Sequence, residues 1–359
     1  MSFRCITLSA LLVAACFLPA VVADAQQAES SSAAGVLVRV DDSALTTVAD
    51  EFGSSIIATS NGDAPPRPPE NYASFSHGGE NDSYFQGQPL IEGDCACCGG
   101  CDFWGWTLLP EGIIYRSYLA GVNESRLGLR INHIADNDDD EGAFFDGTLG
   151  GRKGIIRYGN RDAFRPEGFQ LDIEAAAHVR LSFQEDMDVQ ATDYRVGVPF
   201  TYGWCNKQIK FGYWHVSSHL GDEFILRNAP NFTRFNYAKD SLVLGYSEYV
   251  TDDFRIYAEA SWAFWSDIAE PWEFQFGFEK APRCPTGFCG APFYAVNGHL
   301  RQELDFGGNF VAQAGWAWRA DEGGGLLRVG VHYYNGRSSQ RSFWNQHEKQ
   351  IGIGIWYDN

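Results

Sequence analysis

A serine and two histidines at alternate positions of one stretch are the residues of this chain best suited to chemistry. Within residues 208–221, His215, Ser217 and His219 share one face. In a β-strand alternate side chains point to the same side, so His215 and Ser217 lie about 6.6 Å apart along the backbone. A hydroxyl beside an imidazole is the start of a nucleophile–base pair. The same face continues with the apolar residues Ile209, Phe211 and Tyr213, which is typical of a surface that contacts lipid.

Long alternation of apolar and polar residues elsewhere indicates that this stretch is one strand among many. Residues 169–184 alternate over about fifteen residues, which is longer than an ordinary globular strand. Shorter runs of the same kind lie at 254–264, 272–279, 310–317 and 327–333. Aromatic residues make up 15% of the chain, and it has 39 glycines. Both values favour many strands joined by tight turns.

Either a soluble sandwich or a transmembrane barrel gives such alternation, and three features favour the barrel. The segments are long enough for a tilted spanning strand, and aromatic residues lie near their ends. Short links at 205–206 and 251–253 contrast with a long one at 221–233. The last stretch, 350–357, resembles the aromatic-ended terminal strand that the outer-membrane assembly machinery reads. We therefore predict an all-β fold, a closed antiparallel transmembrane β-barrel of about 12 strands, in the cell outer membrane with membrane lipids and that machinery as partners.

The amino-terminal third has a different composition from the barrel region. One basic residue, a short apolar core and Ala23-Asp24-Ala25 predict a secretory signal peptide. The following region is rich in Ser, Ala, Asp and Asn around a proline run, which predicts a mostly disordered, extended arm. The predicted organisation is a signal peptide at 1–25, a low-complexity periplasmic arm at 26–94, a cysteine-rich linker at 95–109 and an outer-membrane β-barrel at 110–359.

The cysteines suit an oxidising compartment. Two pairs at metal-like spacing, Cys95, Cys97, Cys98 and Cys101, would fit zinc or an iron–sulfur cluster, but disulfides are the favoured interpretation. We also predict a local disulfide between Cys284 and Cys289. The seven cysteines beyond the signal peptide are odd in number, so one thiol is free or pairs between chains, and the oligomeric state stays open.

An acidic run and the overall charge bear on cofactors and partners. Residues 136–142 place carboxylates at alternate positions, as calcium prefers. However, Glu141 stands where an EF-hand loop needs Gly, and Gly147 where it needs Glu. A solvated loop fits better, so no cofactor is predicted, with calcium as the alternative. The balance of 27 basic against 46 acidic residues argues against nucleic acid as a partner.

Four separated stretches give the chain a family resemblance. They are Pro110–Gly121, His215–Glu223, Glu270–Gly277 and Ile351–Tyr357. Together, and in this order, they resemble the domain-of-unknown-function 1207 family from about residue 110 to the end. The resemblance implies a place among outer-membrane barrels whose activity is uncharacterised.

The His-x-Ser triplet, followed later by an aromatic residue and Asn236, is similar to outer-membrane phospholipase A, whose Ser, His and Asn lie on the barrel exterior. The resemblance implies that Ser217 is the nucleophile, His215 the general base and Asn236 the group that orients the imidazole. Lipid A deacylases similarly use His-x-Ser, with a Glu. Here Ser218-His219 stands where the phospholipase has Asn-Gly, and the link from Ser to Asn is longer. Three residues of that longer link are therefore alternatives to Asn236 as the group that orients the imidazole, namely Asn228, Asp222 and Glu223.

Two classes of function compete on this evidence. The first is a lipid acyl-ester hydrolase with a lipid-facing Ser217, His215 and Asn236. The alternative is a passive channel or structural barrel without catalysis, in which His215 and Ser217 are ordinary side chains of the membrane interface. A channel would use the mixed charges predicted for the lumen, namely Arg180, Arg255, Glu259, Glu273, Glu279 and Arg328.

Overall fold

A computed structural model describes residues 104–135, 142–228, 235–321 and 324–359. Several predictions lie outside these residues: the signal peptide (1–25), the arm (26–94), the cysteine cluster (95–101) and the acidic loop (136–141).

Thirteen strands, one short α-helix and three single-turn 3-10 helices (Gly287–Cys289, Gln302–Leu304 and Arg341–Phe343) form the described structure. The strands are β1 (Gly105–Leu108), β2 (Leu127–Ala135), β3 (Gly142–Gly159), β4 (Gly168–Ser182), β5 (Asp188–Trp204), β6 (Lys207–Leu220), β7 (Ala238–Tyr249), β8 (Phe254–Ser266), β9 (Trp272–Lys280), β10 (Ala291–Arg301), β11 (Gly307–Arg319), β12 (Leu326–Arg337) and β13 (His347–Asp358). The helix α1 spans Asp222–Asn228, between β6 and β7.

Strands β2 to β13 close into a barrel of 12 strands. Each pairs antiparallel with the next along the chain, and β13 pairs with β2, with Tyr357 opposite Leu127. The predicted closed antiparallel barrel of about 12 strands is therefore confirmed. Both described ends of the chain, before β2 and after β13, lie at one end of the barrel, which we name the terminal end. The opposite end carries α1 and is named the loop end.

The two faces of the wall have opposite composition. In β4, for example, Ile173 is exposed on the outside, whereas His178 and Arg180 are buried inside. An apolar exterior around a polar interior is the pattern of a membrane barrel. The outward apolar side chains include Leu129, Ile131, Val196, Val198, Phe211, Leu244, Phe276, Val329, Val331 and Ile353. Among the described residues, no helix is both long and apolar enough to span a membrane.

The segment between β1 and β2 fills the lumen from the terminal end. β1 pairs with the last residues of β3, with Gly105 opposite Gly159, and the chain then turns inward. Tyr115, Tyr118 and Ala120 are completely buried there. We call residues 109–126 the N-terminal plug. The predicted barrel, 110–359, includes these residues from 110 onward, but their sequence pattern does not indicate that they lie inside it.

A second segment enters the lumen from the loop end. It connects β12 to β13 and comprises residues 338–346, here called the lumenal loop. Ser338, Arg341 and Phe343 are all buried. Phe343 packs on Phe224 of α1, with ring centroids 5.3 Å apart. The lumen is therefore occupied from both ends.

The predicted Cys284–Cys289 disulfide is wrong. Cys284 is an exposed free thiol, whereas Cys289 is disulfide-bonded, so the two do not pair with each other. The Cys289 sulfur is engaged in a different disulfide and is therefore not available to Cys284. A short turn at Gly287–Cys289 is fixed against β11, where the Trp316 indole donates a 2.7 Å hydrogen bond to the Cys289 carbonyl.

Candidate functional site on the outer wall

The pairing of β6 with β7 places a histidine opposite an aspartate on the outer wall. His215 lies opposite Asp240, and Ser217 opposite Ala238. His215 Nδ1 and Asp240 Oδ1 are 2.8 Å apart. The His215 side chain is 41% exposed and that of Asp240 is 23% exposed, so the pair is accessible from the surroundings of the barrel. A carboxylate hydrogen-bonded to imidazole Nδ1 leaves Nε2 to exchange a proton with a substrate or nucleophile.

A second donor fixes the Asp240 carboxylate. The hydroxyl of Tyr213 donates to the same Oδ1 atom at 2.6 Å. Tyr213 and His215 are alternate residues of β6, so both reach across to Asp240 on the neighbouring strand. A carboxylate among apolar residues is costly unless it is paired and hydrogen-bonded, and here two donors meet that need.

Ser217 lies on the same outer face, two residues after His215. It is half-buried, between Ala238 of β7 and Tyr194 of β5. Within the described part of the chain, its hydroxyl makes no hydrogen bond to the His215 ring. Catalytic hydrogen bonds are often long in unliganded proteins and shorten when substrate is bound. The structure thus places His215 and Ser217 on one outer face, as the alternation predicts.

Asn236 does not have the position predicted for it. It precedes β7, and its amide donates a 2.7 Å hydrogen bond to Asp267. Because Ala238 is opposite Ser217, Asn236 falls near the level of His219, beyond the strand pair at His215. The residue that holds the His215 ring is Asp240. The sequence alone does not indicate this role for Asp240, because which β7 residue faces His215 depends on the strand register.

The other residues considered for this role lie on α1. Asp222 and Glu223 form its first turn, and Asn228 at its end donates to the Phe224 carbonyl at 2.9 Å. In the residues that the structure describes, none of the three hydrogen-bonds His215. The helix therefore covers the loop end of the barrel without contributing to the His215–Asp240 pair.

Aromatic side chains border the pair on the side of β8. Trp265 lies opposite Asp240, and Trp262 and Phe264 are also exposed on the outer face. The Tyr213 and Phe264 rings are 6.4 Å apart. Aromatic rings at this level are typical of the boundary between hydrocarbon and lipid headgroups. The pair is thus flanked by a surface suited to acyl chains.

The charged residues predicted for the lumen are there, and each pairs with an oppositely charged lumenal side chain. Arg180 contacts Asp146 at 2.8 Å and Glu348 at 2.6 Å. Arg255 contacts Glu279 at 2.6 Å and donates to two carbonyls of the plug, those of Arg116 and Ser117. Arg180 thus joins strands of the wall, whereas Arg255 and Glu279 hold the plug.

Tyrosines of the plug complete this network. Burial raises the pKa of Tyr118 well above its usual value, so its hydroxyl stays protonated. It donates a 2.8 Å hydrogen bond to Glu259, and its ring stacks on Tyr257 with centroids 3.9 Å apart. Among the described residues, no group of three His, Cys, Asp or Glu side chains could hold a metal ion.

A family model for a protein of unknown function, DUF1207, matches residues 107–359. The chain belongs to this family. No curated protein matches the DUF1207 chain. Solved structures match its barrel. The outer membrane phospholipase (OMPLA) dimer with bound calcium from Salmonella typhi has a TM-score of 0.44 and 10% identity, covering 65% of this chain and 90% of that one.

Two further solved structures are similar to the DUF1207 barrel. Outer membrane phospholipase A from Escherichia coli has a TM-score of 0.43 and 9% identity, covering 65% of this chain and 89% of its own. The KdgM porin in complex with disordered oligogalacturonate has a TM-score of 0.34 and 10% identity, and the match covers 64% of this chain and 98% of the porin chain. At these identities and scores, no residue of the DUF1207 chain takes a role from either protein.

Proposed function

We propose that this DUF1207 protein is an outer-membrane lipid acyl-ester hydrolase whose catalytic residues are Ser217, His215 and Asp240. The observation that supports this most is the 2.8 Å contact between His215 and Asp240 on the lipid-facing wall, with Ser217 on the same strand face. Ionisable residues inside a membrane are expensive to keep and most often mark a functional site. Asp240 takes the orienting role that the sequence analysis gave to Asn236.

The proposed reaction is a two-step acyl transfer. Ser217 Oγ attacks the ester carbonyl carbon, and its proton moves to His215 Nε2 while Asp240 holds Nδ1. The intermediate collapses to an acyl-serine, and the alcohol part of the lipid leaves with the proton from Nε2. Water then attacks the acyl-serine, with His215 again as base, and a free fatty acid is released.

The location of the three residues favours a lipid substrate. Their face is apolar, and the exposed ring of Trp262 lies on the adjacent strand. In outer-membrane barrels the longer connections are on the outside of the cell, so the loop end with α1 would face outward. Ser217 lies close to that end, because β6 ends at Leu220. In a membrane with the loop end outward, it would be near the boundary between acyl chains and headgroups.

The test is release of fatty acid from phospholipid vesicles that contain the purified, folded protein. Ser217→Ala is expected to remove nearly all of the release, because nucleophile and base act as a unit. The matched control is Ser218→Ala, which removes a hydroxyl from the next residue, on the lumen side of the same strand. Folding of each variant is checked by heat-modifiable migration on gels.

Equal release from Ser217→Ala and the unmodified protein would refute the hydrolase proposal. Planar-bilayer conductance, measured on the same preparations, addresses the channel alternative. The plug and lumenal loop fill the lumen, so the hydrolase proposal expects no steady conductance. Steady conductance together with no fatty-acid release would favour the channel.

A further inference from the structure

Three arginines at the terminal end of the barrel differ from the other lumenal arginines in their partners. They are Arg116 of the plug, Arg283 in the β9–β10 connection and Arg319 at the end of β11. Arg180 and Arg255 each contact a carboxylate. The three arginines at the terminal end instead contact backbone carbonyls, and within the described part of the chain no carboxylate pairs with them. We call these three residues the arginine cluster.

Shared contacts bring the members of the arginine cluster to one place. Arg116 and Arg283 donate to the same acceptor, the Phe164 carbonyl, at 2.9 Å and 3.1 Å. Arg319 donates at 3.1 Å to the carbonyl of Pro282, the residue before Arg283. Three positive charges are therefore close neighbours, and like charges so near to one another disfavour the charged state of each.

Two members of the cluster are also largely removed from water. Arg283 is 7% exposed and Arg319 is 5% exposed. Burial lowers the pKa of Arg283, and the charge of Arg116 lowers it further. A buried charge is costly unless it is paired, and the carbonyls that hold these side chains carry no net charge. An anion bound at this place would supply the missing partner.

A pocket of about 20 Å³ lies at the arginine cluster. Arg116, Arg319 and Tyr249 line it. The guanidinium of Arg283 lies over the Tyr249 ring, 4.1 Å from the ring centre. All three members of the cluster are thus at the pocket or next to a side chain that lines it.

Three carboxylates also line the pocket, and each already contacts a lysine or an arginine outside the cluster. These contacts are Glu279–Arg255 at 2.6 Å, Asp358–Arg328 at 2.7 Å, Asp358–Arg126 at 3.1 Å and Asp253–Lys280 at 3.2 Å. Asn359 lines the pocket too, and in the described structure it forms no ion pair with the cluster. The cluster therefore adds positive charge that the acidic groups of the pocket do not balance.

Each member of the cluster keeps N–H groups for a ligand. Arg116 donates to Phe164 through Nη2, and Arg283 does so through Nε. Arg319 uses Nε and Nη1 for two carbonyls. The remaining guanidinium nitrogens have no partner among the described residues, and each keeps some contact with solvent. A ligand that approaches from the terminal end can therefore reach them.

We propose that the arginine cluster is a binding site for a phosphate group. A guanidinium donates paired N–H groups in a plane that matches two oxygens of such an ion. A phosphate has enough oxygens to accept from three arginines at once, whereas a carboxylate has only two oxygens. The pocket has room for about one water-sized group, so one oxygen enters it and the rest of the phosphate stays outside. The site lies at the opposite end of the barrel from Ser217, and the proposal does not depend on lipid hydrolysis.

Inorganic phosphate and a phosphomonoester share this chemistry, so the experiment uses both. Isothermal titration calorimetry is run on the full-length folded protein in detergent, with sodium phosphate and glycerol 3-phosphate as probes. Sodium acetate and sodium chloride at equal ionic strength are the references. Saturable binding of at least one probe, about tenfold tighter than that of acetate or more, is expected, and the better-bound probe distinguishes the free ion from the ester. Acetate binding as tight as that of both probes would overturn the assignment to phosphate.

Arg116→Gln is expected to weaken the binding about tenfold or more, because it removes a charged donor. The Phe164 carbonyl keeps its hydrogen bond from Arg283 in this variant. The matched control is Arg161→Gln, which removes an exposed arginine from the β3–β4 connection at the same end of the barrel. Arg283→Gln serves as a second variant if Arg116→Gln does not fold, as judged by heat-modifiable migration. Absence of saturable binding, or equal affinities in Arg116→Gln and Arg161→Gln, would overturn the proposal.

Discussion

His215 and Asp240 meet among apolar side chains on the outside of the barrel, whereas Arg180, on the inside, contacts two carboxylates within a network of similar pairs. The lumenal pairs have a structural role, because they join wall strands to each other and to the plug. The outer pair joins only two neighbouring strands that their backbone hydrogen bonds already hold. The outer pair therefore adds little to the stability of the fold, although a charged side chain is costly among apolar residues. It is thus a better candidate for a catalytic role than the lumenal pairs.

The largest effect, on fatty-acid release, is expected when Asp240 of the outer pair is replaced by a side chain of the same size and shape. Asp240→Asn keeps the size of the side chain but favours the wrong imidazole tautomer, and the corresponding change in serine proteases lowers kcat about 10⁴-fold. We expect a loss of fatty-acid release of about that size. Asn236→Ala, the control, should change release less than about threefold. Similar losses in both variants would show that Asp240 has no special role.

The next largest effect is expected inside the lumen, on stability. Arg180→Ala leaves Glu348 buried without its cation and leaves Asp146 with only the longer 3.7 Å contact to Arg130, which should lower the free energy of unfolding by about 3–5 kcal/mol. The control is Arg165→Ala, which breaks an exposed 2.9 Å pair with Asp252 and should cost at most about 1 kcal/mol. Urea titration of barrels folded into vesicles measures both. Equal costs would contradict the distinction between the buried network and surface pairs.

A third prediction places a charge on the outer wall where none exists. Leu244 is 58% exposed near the middle of β7, facing outward. Leu244→Arg should lower the free energy of unfolding of the barrel in lipid by about 2–4 kcal/mol, as expected for a charge near the middle of the bilayer. Leu244→Ala, measured by the same titration, gives the cost of losing the side chain alone. If the Arg variant is no less stable than the Ala variant, this face does not contact hydrocarbon.

The smallest effect is expected at Tyr213, which only positions Asp240. Tyr213→Phe removes one of the two hydrogen bonds to Asp240 Oδ1 and keeps the ring, so fatty-acid release should fall by less than about tenfold. The reduction should appear in kcat, with KM nearly unchanged, because Tyr213 acts through the carboxylate. A change confined to KM would indicate that Tyr213 contacts the lipid instead.

The barrel could be predicted from sequence because the face on which each side chain lies follows from the alternation of neighbouring residues along a strand. Alternation at 169–184 shows directly which side chains face outward, and the structure places Ile173 outside and Arg180 inside as expected. The shared face of His215 and Ser217 follows from the same rule. Nothing more than the period of a strand is needed for these predictions.

The partner of His215 and the contents of the lumen could not be predicted in this way. Asp240 is 25 residues from His215, and only the register of β6 against β7 brings them together. The plug, residues 109–126, lacks the alternation of a strand, because it is surrounded by the lumenal wall on all sides. The predicted Cys284–Cys289 disulfide was wrong for a related reason: closeness in sequence does not decide which cysteines pair, and Cys289 is engaged in a different disulfide.

The short strand β1 has a mechanical consequence for the plug. Its four residue pairs with β3 lie between the preceding chain and Leu109, where the plug begins. Tension applied to the chain ahead of Gly105 therefore reaches the β1–β3 ladder before it reaches the lumen. At its other end the plug continues directly into β2, which is paired on both sides. A pull from the amino-terminal side must first separate β1 from the wall, and only then can it draw the plug out through the terminal end.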